Sequence, residues 1–258
     1  MTSFPFTSAL VTGASSGIGE AMAEMLGAAG IPTVVVARRT DRLQQLAERF
    51  ACIEVLAADL GSPDGLANVV ARIEDEAAPI DLVVNNAGFG TSGEFHELDA
   101  DRLDAEVQLN VAALTRLSRA ALGAMVPRGR GYLLNVSSVV SFQPAPKLAV
   151  YAATKAYVTS LTESLHEEVR GTGVHVTALC PGLTRTEFQS VSSTESYATD
   201  YPSFAWLEPT EVAKAGLEDV AKGKALSIPG AMYKGMVAGV SIMPRGLTRR
   251  LSSLVQRS

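Results

Sequence analysis

Residues 8–19 read SALVTGASSGIG, and this stretch decides the fold class. It begins with a short apolar run typical of a buried strand, and residues 18–29 follow with the pattern of a helix. Between them, Gly13 permits a tight turn, Gly17 permits close approach of a pyrophosphate, and Gly19 permits close packing of helix on strand. The free N–H groups of the helix N-terminus favour an anion. The stretch therefore predicts a phosphate-binding unit, with a ligand-free glycine turn as the alternative.

The rest of the chain repeats this alternation of strand and helix. After the first strand at 8–12, apolar runs predict strands at residues 33–36, 53–57, 81–84, 132–136, 174–179 and 225–228. Helical patterns cover residues 41–50, 63–76, 100–126, 150–170 and 209–221, and a mostly helical tail at 232–256 has a break near Pro244. Continuous apolar strands that alternate with helices indicate a parallel sheet covered on both faces. We expect a single α/β domain over residues 1–258, a Rossmann-type doubly wound sheet of about seven strands, with ligands at the carboxyl ends of the strands.

Composition narrows the classes of function. The 258 residues are 47% apolar and carry a net charge of −5, so nothing in the composition suggests a nucleic-acid partner. Two cysteines indicate a reducing compartment, and the N-terminus has no basic region before an apolar run, so a secretory signal is not expected. No run approaches the roughly 18 apolar residues of a spanning helix. We expect a cytoplasmic protein, and the three histidines lack the spacing of a metal site.

The end of the second predicted strand bears on cofactor choice. NAD sites usually carry an acidic residue here, which holds the ribose 2′-hydroxyl. This chain has Arg38 and Arg39 instead, and a guanidinium suits a 2′-phosphate because it donates two bonds at once. The sequence predicts NADP(H), with Arg38 as the main contact and Arg39 and Ser16 as secondary ones. The alternative is that both arginines are solvated charges at the start of a helix.

Taken together, the motifs resemble the short-chain dehydrogenase/reductase family, in its compact single-domain branch, over about residues 8–187. TGASSGIG from Thr12 fits the branch's TGxxxGxG turn, and NNAG from Asn85 fits the motif after strand four. Pro181 and Gly182, followed by Thr186, fit the motif after strand six. The family's catalytic set falls on Asn110, Ser138, Tyr151 and Lys155. One departure is Thr184, where many members carry valine or isoleucine.

The resemblance implies a reaction in which NADPH delivers hydride to a carbonyl carbon. According to the resemblance, Ser138 and Tyr151 hold the carbonyl oxygen, Tyr151 donates the proton, and Lys155 binds the nicotinamide ribose. Asn110 helps to hold a water that connects the lysine to solvent. Ser137, the neighbour of Ser138, is the less favoured residue for its role.

The pair Tyr151 and Lys155 also makes chemical sense without the resemblance. Four residues apart on a predicted helix, their side chains share one face. A free phenol with a pKa of about 10 transfers protons poorly at neutral pH. We expect the ammonium to lower that pKa by stabilising the phenolate. A tyrosine and a lysine at this spacing are more often structural when they occur alone. The catalytic interpretation therefore depends on the other residues of the catalytic set.

The resemblance also implies the cofactor contacts. Asp59 would meet the adenine, although a turn aspartate is the alternative, and Asn85 and Gly88 would shape the floor of the adenosine site. Thr186 would meet the carboxamide or the pyrophosphate. The full expected set is Gly13, Ser15, Ser16, Gly17, Ile18, Gly19, Arg38, Arg39, Asp59, Asn85, Ala87, Gly88, Tyr151, Lys155, Pro181, Gly182, Thr184 and Thr186.

Two segments bear on substrate and partners. Residues 186–210 are expected to form a substrate lid with an apolar wall, or to be ordinary loop packing. Its aromatic residues are Phe188, Tyr197, Tyr201, Phe204 and Trp206. The tail at 230–258 combines apolar and basic side chains, namely Met232, Met236, Met243, Leu247, Arg245, Arg249, Arg250 and Arg257. Packing on the subunit or on a partner is favoured over contact with a membrane surface.

The tail and the VVVARRTDRL stretch look like ketoacyl reductases and steroid dehydrogenases, which implies a lipophilic ketone. Relatives are commonly dimers or tetramers, so a homodimer or homotetramer is expected. One alternative enzyme is a dehydrogenase that acts chiefly on an alcohol. A sugar-nucleotide epimerase is a further alternative, but it would normally need a longer substrate domain. A non-catalytic NADP(H)-sensing protein on the same fold is the alternative from another class. Such proteins usually lack the tyrosine or the lysine, and both are present here.

Overall fold

The glycine turn sits in the middle of a seven-stranded parallel sheet. In the computed structural model, which describes residues 4–194, 201–244, 246 and 248, the strand order is β3-β2-β1-β4-β5-β6-β7. The strands are β1 Ala9–Thr12, β2 Thr33–Ala37, β3 Ile53–Ala57, β4 Leu82–Asn85, β5 Gly131–Val136, β6 Val174–Leu179 and β7 Leu226–Ser227. Consecutive strands run outward from β1 on one side and from β4 on the other. The order therefore reverses between β1 and β4, the place where such sheets bind ligands.

Helices cover both faces of this sheet. They are α1 Gly17–Ala28, α2 Thr40–Arg49, α3 Pro63–Ile73, α4 Ala100–Val107, α5 Leu114–Met125, α6 Ala149–Glu168, α7 Phe188–Val191, α8 Pro209–Ala221 and α9 Ala231–Ile242. One buried apolar cluster joins α1 and α8 to the sheet, and a second joins α3 and α5 to the opposite face. The strands lie between the two clusters, which explains why most of them are apolar along their whole length. The predicted single α/β domain is confirmed.

The predicted helix at 100–126 is not one continuous α-helix. It is divided into α4, a π-helical segment Gln108–Ala113, and α5. Asn110 lies in this segment, and its side chain donates to the carbonyl oxygen of Phe89 at 2.8 Å and accepts from the Phe89 N–H at 3.2 Å. A π-helical turn alters the register of side chains within a helix and is frequent at functional sites.

The last described helix, α9, begins after Gly230 and ends at Ile242, two residues before Pro244. Of the basic residues predicted to mark the tail, Arg245, Arg249, Arg250 and Arg257 lie outside the described residues, as does Leu247. No helix in the described part of the chain has the length and apolar character needed to cross a membrane.

Candidate active site

A cavity of about 1060 Å³ lies at the carboxyl ends of the strands. The strand ends bring residues from distant parts of the chain to this edge, as the parallel topology requires. Seventeen of the predicted site residues line it, namely Gly13, Ser15, Ser16, Gly17, Ile18, Arg38, Arg39, Asp59, Ala87, Gly88, Ser138, Tyr151, Lys155, Pro181, Gly182, Thr184 and Thr186. Gly19, Asn85 and Asn110 are the predicted residues that lie behind its wall.

The glycine turn is shaped by close backbone packing. Gly13 has a φ of +65°, and a Cβ atom there would lie 2.9 Å from the Cα of Ala87. A Cβ atom on Gly19 would lie 2.4 Å from the carbonyl oxygen of Gly13, so this glycine allows the helix to meet the turn. Ser16 precedes α1 without a side-chain capping bond, so the first N–H groups of the helix stay available for an anion.

The NNAG motif divides its two asparagines between core and cleft. The Asn85 side chain lies in the core, where its amide donates to Ser118 Oγ at 3.1 Å and Asn135 Oδ1 at 2.9 Å. We expected Asn85 to shape the floor of the cleft. Its side chain instead lies in the core and does not form that floor. Asn86 lines the cleft instead and donates to the carbonyl oxygens of Thr12 and Gly13 at 2.9 and 3.2 Å. The missed signal is strand alternation, since adjacent side chains at a strand end point in opposite directions.

The two arginines after β2 have different surroundings. Arg39 donates to Ser15 Oγ at 3.1 Å and pairs with Glu187 at 2.8 Å across the cleft. The same guanidinium holds the pKa of Glu187 below its usual value, mainly through that hydrogen bond. Arg38 is exposed, lines the cleft, and makes no hydrogen bond or ion pair with the described residues. Its guanidinium is therefore the one with all its donors available to a ligand.

Tyr151 and Lys155 lie on one face of α6 and are both buried. The Lys155 Nζ donates to the carbonyl oxygen of Val136 at 2.8 Å and lies 5.6 Å from the centre of the Tyr151 ring. Burial lowers the pKa of Lys155 to about 8. Burial raises the pKa of Tyr151, with the Ser138 hydroxyl acting in the opposite direction. The expected lowering of the tyrosine pKa is thus not found among the protein groups alone, because burial outweighs the effect of the Ser138 hydroxyl.

The two serines after β5 also differ. The Ser137 hydroxyl donates to the carbonyl oxygen of Lys155 at 2.8 Å and bonds the Thr159 hydroxyl at 2.7 Å, so its bonds are used within the core. The Ser138 hydroxyl makes longer bonds to the main chain, to the carbonyl oxygen of Pro181 at 3.4 Å and from the Val140 N–H at 3.3 Å. Ser138 is therefore better placed to bond a ligand oxygen.

The segment after β6 and the helix α9 form the opposite wall of the cleft. The Phe188 ring packs on Tyr151, with the ring centres 5.2 Å apart. Apolar side chains of this wall include Phe188, Val191, Phe204, Met232 and Met236. Of the aromatic residues predicted for the lid, Tyr197 lies outside the described residues, and Trp206 stacks with Arg185 rather than lining the cavity.

Tyr233 on α9 is a structural contact that the sequence did not predict. Its hydroxyl donates to the carbonyl oxygen of Ala205 at 2.6 Å and accepts from the Leu183 N–H at 3.0 Å. These bonds tie α9 both to the segment after the Pro181-Gly182 motif and to the lid segment. Within the described residues, no group of histidine, cysteine, aspartate or glutamate side chains is arranged to hold a metal ion.

Comparison with known proteins agrees with this geometry. The family model described as short chain dehydrogenase matches residues 7–196. An uncharacterized oxidoreductase of Staphylococcus epidermidis is 33% identical over 208 residues, which cover 80% of this chain and 87% of that protein. A short-chain dehydrogenase from Sphingobium yanoikuyae, solved in complex with NADPH, is 34% identical with a TM-score of 0.81, over 92% of this chain and 96% of that one. A bulky-bulky ketone specific alcohol dehydrogenase from Comamonas testosteroni is 32% identical with a TM-score of 0.76, over 93% of this chain and 95% of that one.

Proposed function

The chain belongs to the short-chain dehydrogenase family of oxidoreductases, and from this we propose that it is an NADP(H)-dependent enzyme that transfers a hydride between nicotinamide and a ketone or secondary alcohol. Tyr151 is the proposed acid and base, assisted by Lys155, Ser138 and Asn110. The observation that carries the proposal is the placing of the buried Tyr151–Lys155 pair, with Ser138, on the same cavity as the glycine turn.

The cleft fits a phosphorylated dinucleotide. The close backbone packing around Gly13 and the uncapped start of α1 leave N–H groups for a pyrophosphate. The unpaired Arg38 supports a 2′-phosphate contact, and the relative from Sphingobium yanoikuyae was solved with NADPH. Asp59, Thr184 and Thr186 line the same cleft and are proposed as further cofactor contacts. When bound, the cofactor would supply the hydride, which no protein side chain can do.

The side chains of this chain would orient the substrate and move the proton. In the reducing direction, Ser138 and Tyr151 hold the substrate oxygen and stabilise the negative charge that develops there. Tyr151 remains a phenol at neutral pH because burial raises its pKa, and it donates its proton to the more basic alkoxide. Lys155 then returns a proton to the tyrosine, and Asn110 fixes the loop at Phe89 beside the pair.

The lining of the cleft supports a lipophilic substrate. The wall opposite Tyr151 is formed by the apolar side chains of α7, the lid segment and α9. Apolar walls with few polar groups select by size and shape rather than by hydrogen bonding. The relative from Comamonas testosteroni is described as specific for bulky-bulky ketones, which is consistent with this class.

An assay of NADPH oxidation over ketones of graded size, with Tyr151→Phe as the inactive control, tests the proposal. Turnover that rises with apolar bulk and disappears in the variant is the expected result. Comparison of NADPH with NADH tests the cofactor separately, and equal efficiency would remove the assignment of Arg38.

A non-catalytic NADP(H)-sensing protein is the second candidate, favoured only by the cofactor cleft itself. Calorimetry would detect tight NADPH binding in either case. Binding without turnover over the whole ketone series and over the matching alcohols would select this alternative. A cytoplasmic location and a homodimer or homotetramer remain predictions, the latter measurable by light scattering.

A further inference from the structure

Glu106 is a buried carboxylic acid that the proposed reaction does not use. It lies on α4 with 0% of its surface exposed. Neither carboxylate oxygen has a hydrogen-bond partner within 3.5 Å among the described residues. A buried carboxylate without partners is costly, so its presence calls for a physical explanation.

Glu106 lies on the buried side of α4, close to the helix that carries Tyr151 and Lys155. It lies one helical turn before Asn110, whose amide donates to the Thr154 hydroxyl at 3.2 Å. Thr154 immediately precedes Lys155, and α4 packs against α6. Glu106 does not line the cleft, although its neighbour Ala105 does, so the carboxyl lies behind the wall.

A second unpartnered polar group marks the same place. The Thr91 hydroxyl is buried and also has no hydrogen-bond partner within 3.5 Å among the described residues. Thr91 follows Gly90, where a Cβ atom would lie 3.1 Å from Cδ2 of the Tyr151 ring. The Thr91 side chain is close enough to lower the pKa of Glu106, although burial acts more strongly in the opposite direction and the pKa is raised overall. Glu106 and Thr91 therefore form a buried polar pair, and Thr91 adjoins the residue that packs against the tyrosine ring.

We propose that Glu106 is a positioning residue for the reaction: it is the buried counter-charge that holds Lys155 as an ammonium and Tyr151 as a phenol. The inference rests on the proposed function, because these are the protonated forms that carbonyl reduction needs. In that step the Tyr151 O–H bond breaks as the substrate oxygen gains the proton, and Lys155 restores it with a proton taken from solvent. Glu106 itself gains and loses no proton.

The electrostatics of the surrounding groups agree in sign with this role. The main effect on Lys155 is burial, which lowers its pKa, whereas the Cys180 side chain and the Glu106 carboxyl act to raise it. Glu106 also acts, after burial, to raise the pKa of Tyr151. Lys155 and Arg102 are the cations that act on Glu106 in turn and favour its charged form. Burial alone would leave Lys155 partly neutral near physiological pH, and the carboxylate opposes that loss.

Glu106→Gln tests the proposal because it removes the charge and keeps the shape. Asp104→Asn is the matched control, since it removes an exposed carboxylate two residues away on the same helix. Glu106→Asp keeps a carboxylate and should restore the wild-type behaviour. The kcat for ketone reduction by Glu106→Gln is divided by the wild-type kcat at the same pH. We expect this ratio to be about three- to tenfold lower at about pH 9 than at about pH 6.5. The pH at which alcohol oxidation rises should also move to lower values.

A structural defect would scale the rates at every pH without moving the profile, and that result would overturn the proposal. So would a profile that Asp104→Asn moves equally. A measurement that needs no turnover follows the titration of Lys155 by NMR with isotope-labelled lysine. The Lys155 signal should titrate at lower pH in Glu106→Gln, and an unchanged titration would refute the role of Glu106. If wild type reduces no ketone, the proposed function fails, while this titration still decides the electrostatic claim.

Discussion

The ring of Tyr233 fills the space that a side chain at Gly182 would need, because a Cβ atom built on Gly182 would lie 2.0 Å from the Cζ of Tyr233. The glycine of the motif after β6 is therefore required here by packing against the last helix. The contact is rigid, since the Tyr233 hydroxyl is held by the Leu183 N–H and the Ala205 carbonyl. The Tyr233 side chain thus contacts both the wall of the cleft and the floor of the cofactor site.

Gly182→Ala should lower the free energy of unfolding by about 1–3 kcal/mol, the usual cost of forcing extra volume into a packed site. Urea denaturation measures the change. Gly235→Ala on α9 is the control, since no atom lies within 4 Å of a Cβ at that position. That substitution should be neutral or stabilise the helix by about 0.5–1 kcal/mol. Equal stability of the two variants would contradict the packing argument.

Arg38→Ala should raise the KM for NADPH by about 10- to 100-fold, the loss expected for charge-assisted hydrogen bonds worth about 1.5–3 kcal/mol. The KM for NADH should stay nearly constant, because that cofactor has no 2′-phosphate. Arg42→Ala is the control, because Arg42 does not line the cleft and its ion pair with Glu187 is long, at 3.9 Å. An equal effect on both cofactors would show that Arg38 acts on something other than the phosphate.

Tyr151→Phe should reduce kcat by about 10²- to 10⁴-fold, the range for loss of a general acid. The Phe ring retains the packing against Phe188, so the fold and NADPH binding should be preserved. Steady-state kinetics and fluorescence titration of NADPH separate the two effects. Retention of wild-type turnover would mean that another group supplies the proton.

Asp81→Asn should lower the stability of the fold at neutral pH. It should also make that stability less sensitive to a fall in pH. Although burial acts to raise the pKa of Asp81, bonds from Arg130 at 2.9 Å and from the Thr7 N–H at 3.0 Å hold it below its usual value. A carboxyl with a lowered pKa stabilises the fold above its unfolded-state pKa, about 4, and the contribution is lost as pH falls through the folded value.

Thermal unfolding measured from about pH 7 down to about pH 3 should therefore show a steeper decline in wild type than in Asp81→Asn. Glu54, which is exposed and pairs with Arg72, offers a control through Glu54→Gln. The same slope in all three proteins would exclude Asp81 as a source of acid sensitivity.

The strands were predictable from the sequence because burial on both faces leaves a continuous apolar run. All seven begin and end within one residue of the predicted bounds, and β2, for example, ends one residue later than predicted, at Ala37. The interruption of the helix near Asn110 was not predictable. Apolar periodicity reports the face a helix buries, whereas the π-helical segment accompanies side-chain bonds to Phe89, a residue 21 positions away.

The site was predictable where a motif fixes both residue type and position. Gly13, Ser138, Tyr151 and Lys155 meet on one cavity, as their motifs imply. The assignment of Asn85 rather than Asn86 to the cleft failed because a motif does not state which way a side chain points. The roles of Glu106 and Tyr233 were not predictable for another reason. An isolated acidic or aromatic residue on a helix gives no local signal of the long-range contacts that it makes.

Tyr151 and Lys155, the proposed proton-transferring groups, stand on α6, whereas the apolar wall belongs to the chain after β6 and to α9. The proposed proton transfer and the proposed recognition of substrate thus depend on separate stretches of the polypeptide. Mutational drift in the later stretch can reshape what the enzyme accepts without disturbing how the reaction proceeds. Grafting the wall of one relative onto the sheet of another should accordingly transfer preference for size while leaving the proton path intact.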